Sequence, residues 1–151
     1  MAFQSVGPVL FESVSAVTAT PSVDVGSIRI EGDEKYIYAY NAGNSQISVG
    51  RAAVVSAVSG YSVTVSSVSG GFAVGFVKHA TLTTGTYGWL VTRGFVDSVT
   101  NAMASTALAA GDAIQLGVDG GVCKGETGPY VGKMMTATGS AGVAHAFVAL
   151  Y

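Results

Sequence analysis

GTYGWLVTRG, residues 85–94, decides the fold class of this chain. Side chains alternate across a strand, so Tyr87, Trp89 and Val91 share one face. The glycines around them permit bends, bulges or a close approach of two backbones. A tryptophan amid glycines on a strand is typical of the core of a small β-barrel or of a subunit interface. The stretch therefore predicts a strand at a corner of a β-fold, with Trp89 in the core or at an interface.

The sequence on both sides of this stretch shows the same strand-forming pattern. In EKYIYAYN, residues 34–41, three tyrosines alternate with Ile37 and Ala39, which predicts a strand with an aromatic face. Helix formers are scarce, while 21 glycines accompany abundant Val, Thr and Ser. NAMASTALAAGD, residues 101–112, is predicted to be a loop. We therefore predict an all-β fold, a small β-barrel or β-sandwich of short antiparallel strands.

A weak internal repeat lies under this pattern. A Gly-x-Ala strand start at residues 50–52 is followed by a Val-Gly strand at 73–77, a Thr-Gly turn at 84–85 and an apolar strand at 87–91. The same order recurs from Gly111, with an offset that drifts along the chain. Two copies are too few for a solenoid. They predict two β-meanders that close into one barrel or sandwich, which shortens exposed sheet edges.

Residues 1–26 differ from the rest and are predicted to form an extended N-terminal arm, with the β-domain spanning 27–151. The arm has no clear period of 2 or 3.6. Its side chains at Phe3, Val9, Leu10 and Phe11 are too apolar for a solvated tail. We therefore expect it to dock on a neighbouring subunit or partner.

Composition excludes several classes of function. The chain is 49% hydrophobic and only 11% charged, with a net charge of −2, so it lacks the basic footprint of a nucleic-acid-binding protein. Polar residues interrupt every apolar run before a membrane-spanning length, and the N-terminus lacks the positive region of a signal peptide. The lone Cys123 fits a reducing compartment. We expect synthesis in the cytoplasm, with no nucleic-acid or membrane partner.

The candidate catalytic and metal-binding residues of the sequence are all better explained by structural roles. His79 and His145 are interpreted as structural or surface residues, because two scattered histidines rarely form a metal site. EGDEK, residues 31–35, is interpreted as a solvated turn rather than a calcium site. Nucleophile-elbow and phosphate-loop spacings are absent, and Cys123 is interpreted as inert. By elimination we expect no enzyme activity, no metal and no cofactor.

The chain resembles the capsid decoration, or cement, proteins of tailed bacteriophages. The resemblance rests on Gly-x-Tyr-Gly-Trp-Leu-Val-x-x-Gly at 85–94, Ala-Ala-Gly-Asp-Ala at 109–113, an early Tyr-x-Tyr strand at 36–40 and the apolar terminal strand at 147–151. It covers roughly residues 26–151. It implies a virion protein on the outer surface of the capsid that binds the major capsid protein, commonly as a homotrimer, and reinforces contacts between its subunits.

Two alternatives remain open. One is another virion component, such as a head-fibre base or tail adaptor. The other is a small carbohydrate-binding β-sandwich that uses Trp89 and Tyr87 as a stacking platform. The residues predicted at a capsid or subunit interface are Phe3, Val9, Leu10, Phe11, Tyr87, Trp89 and Arg93.

Overall fold

The computed structural model describes residues 13–56, 61–66, 72–103, 106–126, 128–139 and 142–150. Within them the all-β prediction is confirmed, because helical structure is confined to a 3-10 turn at Val118–Gly120. No helix in these ranges is long and apolar enough to cross a bilayer. The strands are β1 (Val17–Thr18), β2 (Ile28–Glu31), β3 (Glu34–Asn41), β4 (Ala52–Val55), β5 (Ser62–Val65), β6 (Ala73–Val77), β7 (Tyr87–Thr100), β8 (Ala113–Leu116), β9 (Val122–Lys124), β10 (Tyr130–Met134) and β11 (Val143–Ala149).

These strands form one hydrogen-bonded sheet that closes on itself twice. In the first barrel, the order is β3-β5-β4-β6-β7, and the ring closes because β3 also pairs with β7. In the second barrel, the order is β7-β11-β10-β8-β9. That ring closes through a bridge between Asn101, just after β7, and Val122 in β9. Two small barrels thus stand where the sequence predicted one barrel or sandwich.

Strand β7 is shared by both barrels. Its residues 87–93 pair with β3, and its residues 93–100 pair with β11. Gly94, at a φ of 140°, lies where the partner changes, in a conformation that disfavours side chains. Most strands are short and antiparallel, as predicted; the two exceptions are β7, which has 14 residues, and the parallel pairing of β3 with β5. The long strand exists because it serves one ring after the other.

The internal repeat predicted from the sequence is confirmed by the backbone hydrogen bonds. The N–H of Gly50 donates to Val77 at 2.8 Å, and the N–H of Gly111 donates to Met134 at the same distance. The order of pairing also repeats, since β4 pairs with β6 and β6 with β7, as β8 pairs with β10 and β10 with β11. Each repeat joins the strand that precedes it, β3 or the second half of β7, and closes its own ring.

A buried asparagine lies at the end of the first strand of each barrel: Asn41 is the last residue of β3, and Asn101 directly follows β7. Oδ1 of Asn41 accepts from the N–H of Gly43, and Oδ1 of Asn101 accepts from the N–H of Met103, both at 3.0 Å. Each side-chain amide also donates to two backbone carbonyl oxygens. Buried polar groups need such partners, so these asparagines fix the loop that leads to the next strand in each barrel.

The two barrel interiors correspond position by position. Ile37 lies opposite Leu90 in the first barrel, as Val96 lies opposite Ala146 in the second. The buried interior of the first barrel is Ile37, Ala39, Ile47, Ala53, Val63, Val77, Leu82 and Leu90. The corresponding buried positions of the second are Val96, Val99, Leu108, Ile114, Val122, Met134, Thr138 and Ala146. Apolar packing inside each ring therefore stabilises the two halves in the same way.

Candidate assembly interface

Trp89 lies within the core rather than on a free surface. Its side chain is 5% exposed and belongs to a buried cluster with Tyr36, Tyr38 and Val91. The Tyr38 ring centroid lies 5.0 Å from the Trp89 ring in a tilted arrangement. The predicted alternation is confirmed, since Leu90 points instead into the first barrel. A ring enclosed in this way cannot serve as the stacking platform of a carbohydrate-binding protein.

These aromatic residues form the first outer face, defined here as Tyr36, Tyr38, Phe76, Trp89 and Val91 on the outside of the first barrel. Tyr87, which is half-buried, extends the aromatic contacts along β7, with its ring 4.7 Å from that of Tyr40 and 6.1 Å from that of Tyr38.

Residues 13–27 of the same chain lie against part of the first outer face, around Tyr38 and the start of β7. Strand β1 pairs with Tyr87 and Gly88 at the start of β7. The Tyr38 hydroxyl lies 3.0 Å from the Ser22 hydroxyl and 3.2 Å from that of Thr18. Residues 13–26 of the predicted arm therefore lie on their own barrel, and the predicted interface residues Phe3, Val9, Leu10 and Phe11 lie outside the described residues.

Arg93, the remaining predicted interface residue, is exposed at the point where β7 leaves β3. It lines a small surface cavity with Ile30, Asp33, Glu34 and Lys35. The structure thus brings Tyr87 and Trp89 together and places Arg93 further along the same strand. Its role at an interface stays a prediction, as does that of Tyr87.

The ion pair between Lys78 and Glu34, which lies close to Arg93, was not predicted from the sequence. Glu34 accepts hydrogen bonds from the Lys78 ammonium and from the Tyr36 hydroxyl. Burial acts to raise the pKa of Glu34, but the hydrogen bonds from Lys78 and Tyr36 outweigh it, and the pKa is lowered overall. Gly32 and Asp33 do form the expected turn between β2 and β3, whereas Glu34 starts β3.

We expect Glu34→Gln to lower the free energy of unfolding at pH 7 by roughly 1–3 kcal/mol, because the Lys78 ammonium loses its counter-charge. The folded-state pKa of Glu34 lies below its unfolded value. Its contribution is therefore fully present above the unfolded pKa and is lost as the pH falls through the folded pKa. The difference from the wild type should shrink below about pH 4.

Urea unfolding over a range of acidic to neutral pH measures this difference. Asp33→Asn, one residue earlier in the exposed turn, is the control and should change stability little. A Glu34→Gln effect that stays constant down to strongly acidic pH would contradict a charged role for the carboxyl group.

A second apolar surface lies on the outside of the second barrel and is open to solvent. We define the second outer face as Phe95, Tyr130, Met135 and Phe147. Phe95 is 49% exposed, Tyr130 55% and Met135 49%. The Phe95 and Phe147 rings meet edge to face with centroids 5.3 Å apart. Contiguous exposed apolar surface of this kind marks a site of interaction.

The polar residues considered for chemistry are dispersed. His79 and His145 are both exposed; Nε2 of His79 lies 3.2 Å from the Tyr36 hydroxyl, and Nδ1 of His145 lies 3.3 Å from Asp97. Cys123 is buried and unpaired in β9. Among the described residues, no three His, Cys, Asp or Glu side chains group in a way that could hold a metal ion. The expectation of no enzyme activity and no cofactor stays a prediction.

The comparisons with known proteins bear on the fold. The chain is similar to a solved structure, the N base of the head fiber protein gp8.5 of bacteriophage phi29, with a TM-score of 0.54 and 12% sequence identity. The two chains share a fold. The match covers 76% of this chain and 92% of the phage protein chain. No family model and no curated protein sequence matched the chain.

Proposed function

We propose that this chain is a non-enzymatic structural protein of a bacteriophage virion that serves as the base of a head fibre. The observation that supports this most is the shared fold, which extends over 92% of the head-fibre base. The resemblance of residues 85–94 and 109–113 to phage decoration proteins is an independent observation from the sequence. We further propose, as the sequence resemblance implies, that it lies on the outer surface of the capsid with the major capsid protein as its partner.

The surface chemistry agrees with such a role. The chain carries only 16 formally charged Asp, Glu, Lys and Arg side chains, from 9 acidic and 7 basic residues. Interfaces are depleted of charge at their centres. Large apolar side chains are exposed on β2, at Ile28 and Ile30. We propose that the protein assembles as a homotrimer, so that modest contacts of each copy with the shell add up by avidity.

A cement protein is the second candidate, favoured by the sequence resemblance. The two roles differ in what they do to the shell. A cement protein reinforces contacts between capsid subunits and should raise the temperature at which expanded heads lose their integrity. A fibre base needs only to bind the shell, so it should leave the disruption temperature of the heads nearly unchanged.

Co-sedimentation of the purified chain with undecorated heads of the phage that encodes it tests the proposal. We expect saturable pelleting at a fixed ratio to the major capsid protein. Heads of an unrelated phage are the control and should pellet none of it. A folded protein that stays in the supernatant with its own heads would contradict both candidates. Thermal disruption of saturated heads then separates the fibre base from the cement protein.

A further inference from the structure

The second outer face is the counterpart of a face that the chain covers elsewhere. In the first barrel Tyr36 lies opposite Val91 across β3 and β7. In the second barrel Phe95 lies opposite Phe147 across β7 and β11. These two pairs occupy the same position in the two repeats. Tyr36 and Val91 are buried, whereas Phe95 is half-exposed.

The two outer faces differ in exposure because they differ in what lies against them. Residues 13–27 lie against the first outer face at Tyr38, to which they form main-chain and hydroxyl hydrogen bonds. Tyr36, at the other end of this face, contacts Glu34 and His79. Val14 and Val23 of this segment pack against the buried cluster. On the second outer face, a shallow cavity lined by Gly132, Lys133 and Ala149 lies between the exposed rings. It presents one cationic side chain and otherwise apolar surface.

Residues 1–12, which immediately precede the segment that lies on the first outer face, have a composition suited to cover the second outer face. Residues 1–12 read MAFQSVGPVLFE, with Phe3, Val9, Leu10 and Phe11 as bulky apolar side chains and Glu12 as the single charged one. Pro8 disfavours a helix that runs through this segment. An extended apolar segment matches a shallow apolar surface that lies along strands.

The segment is also long enough to reach the second outer face of its own chain. Strand β1 is fixed at Gly88, seven residues from Phe95 along β7, which corresponds to about 23 Å. Twelve extended residues span at most about 40 Å. A tether that can span its site gives an effective concentration in the millimolar range, which favours binding within the chain over binding to another copy.

We propose that residues 1–12 fold back over the second barrel of the same chain and cover Phe95, Tyr130, Met135 and Phe147. Residues 1–27 then form a continuous cover in which each half protects the equivalent face of one barrel. This proposal concerns contacts within one chain, and it holds or fails independently of binding to phage heads.

Dye binding tests whether the arm covers this surface. In the full-length chain, Phe3, Val9, Leu10 and Phe11 are all replaced with serine, and the fluorescence of 8-anilinonaphthalene-1-sulfonate is measured. We expect a several-fold increase, because the second outer face becomes accessible to the dye. In the matched background with Phe95→Ser and Met135→Ser, the arm substitutions should leave dye fluorescence unchanged. No increase in the first case, or an equal increase in both, would overturn the proposal.

Disulfide trapping tests whether the cover belongs to the same chain. In a Cys123→Ala background, Gln4→Cys is combined with Met135→Cys, or, as the control, with Val55→Cys at the exposed last residue of β4. We expect a disulfide within single chains that forms on the order of tenfold faster with position 135 than with position 55. Equal rates, or cross-links found only between chains, would overturn it.

Discussion

Replacing Gly50 with alanine is expected to destabilise the fold by roughly 3 kcal/mol or more, whereas the same change at Gly111 should cost only about 1 kcal/mol. The two glycines occupy equivalent positions at the start of the two repeats. Their φ angles are 82° and 88°, so an alanine meets the same backbone strain at both. A Cβ at Gly50 would overlap the carbonyl oxygen of Ser98 in β7, whereas nothing lies within 4 Å of a Cβ at Gly111.

Urea unfolding followed by far-ultraviolet circular dichroism measures both variants. Gly111→Ala is the matched control, because it carries the strain of a positive φ without the steric overlap. The comparison therefore isolates the close approach between the loop before β4 and the second half of β7. Equal destabilisation by the two substitutions would contradict that approach.

Trp89→Ala should lower the free energy of unfolding by about 3–5 kcal/mol. The indole ring is buried against Tyr38, and its removal would leave a large cavity in the aromatic cluster. Within the described part of the chain the indole N–H has no hydrogen-bond partner. Trp89→Phe should therefore cost clearly less, since it loses ring volume but no hydrogen bond.

Because Trp89 is the only tryptophan, unfolding of these variants is best followed by circular dichroism. Phe72→Ala is the control, since that ring is 81% exposed and its loss should change stability by less than about 0.5 kcal/mol. If Trp89→Ala and Phe72→Ala had similar small effects, the aromatic cluster would not stabilise the first barrel.

The sequence predicted the parts of the fold that local alternation encodes. The period of two in residues 34–41 placed the tyrosines of β3 on one face and Ile37 and Ala39 on the other, and the structure confirms this. The loop over residues 101–112 is confirmed in its described residues, where pairing is limited to isolated bridges at Asn101 and Leu108. The repeat could be found because glycines and turns recur at matching places.

The sequence could not predict the features that depend on distant partners. Gly94 and polar residues such as Asp97 interrupt the pattern of β7, so its 14-residue length is visible only once both β3 and β11 lie beside it. The parallel pairing of β3 with β5 is likewise set by ring closure.

The candidate interface was harder to predict than the fold. Phe95 and Tyr130 are isolated apolar residues on the outward side of strands whose inward side is buried. Alternation alone does not tell which face is covered by another part of the chain. Comparison of the two repeats would have paired Phe95 with Tyr36, but it could not show that Tyr36 is buried and stacks on His79 whereas Phe95 is 49% exposed.

The continuity of β7 also determines how the molecule bears mechanical load. A tension that acts on one barrel passes to the other through an unbroken 14-residue backbone, with no linker between them that could act as a hinge. Antiparallel ladders with β3 and β11 flank that backbone. Force along the strand axis would have to shear many hydrogen bonds at once, instead of opening them one after another. We therefore expect the two barrels to respond to load as a single body, which the proposed role as the base of a head fibre would require.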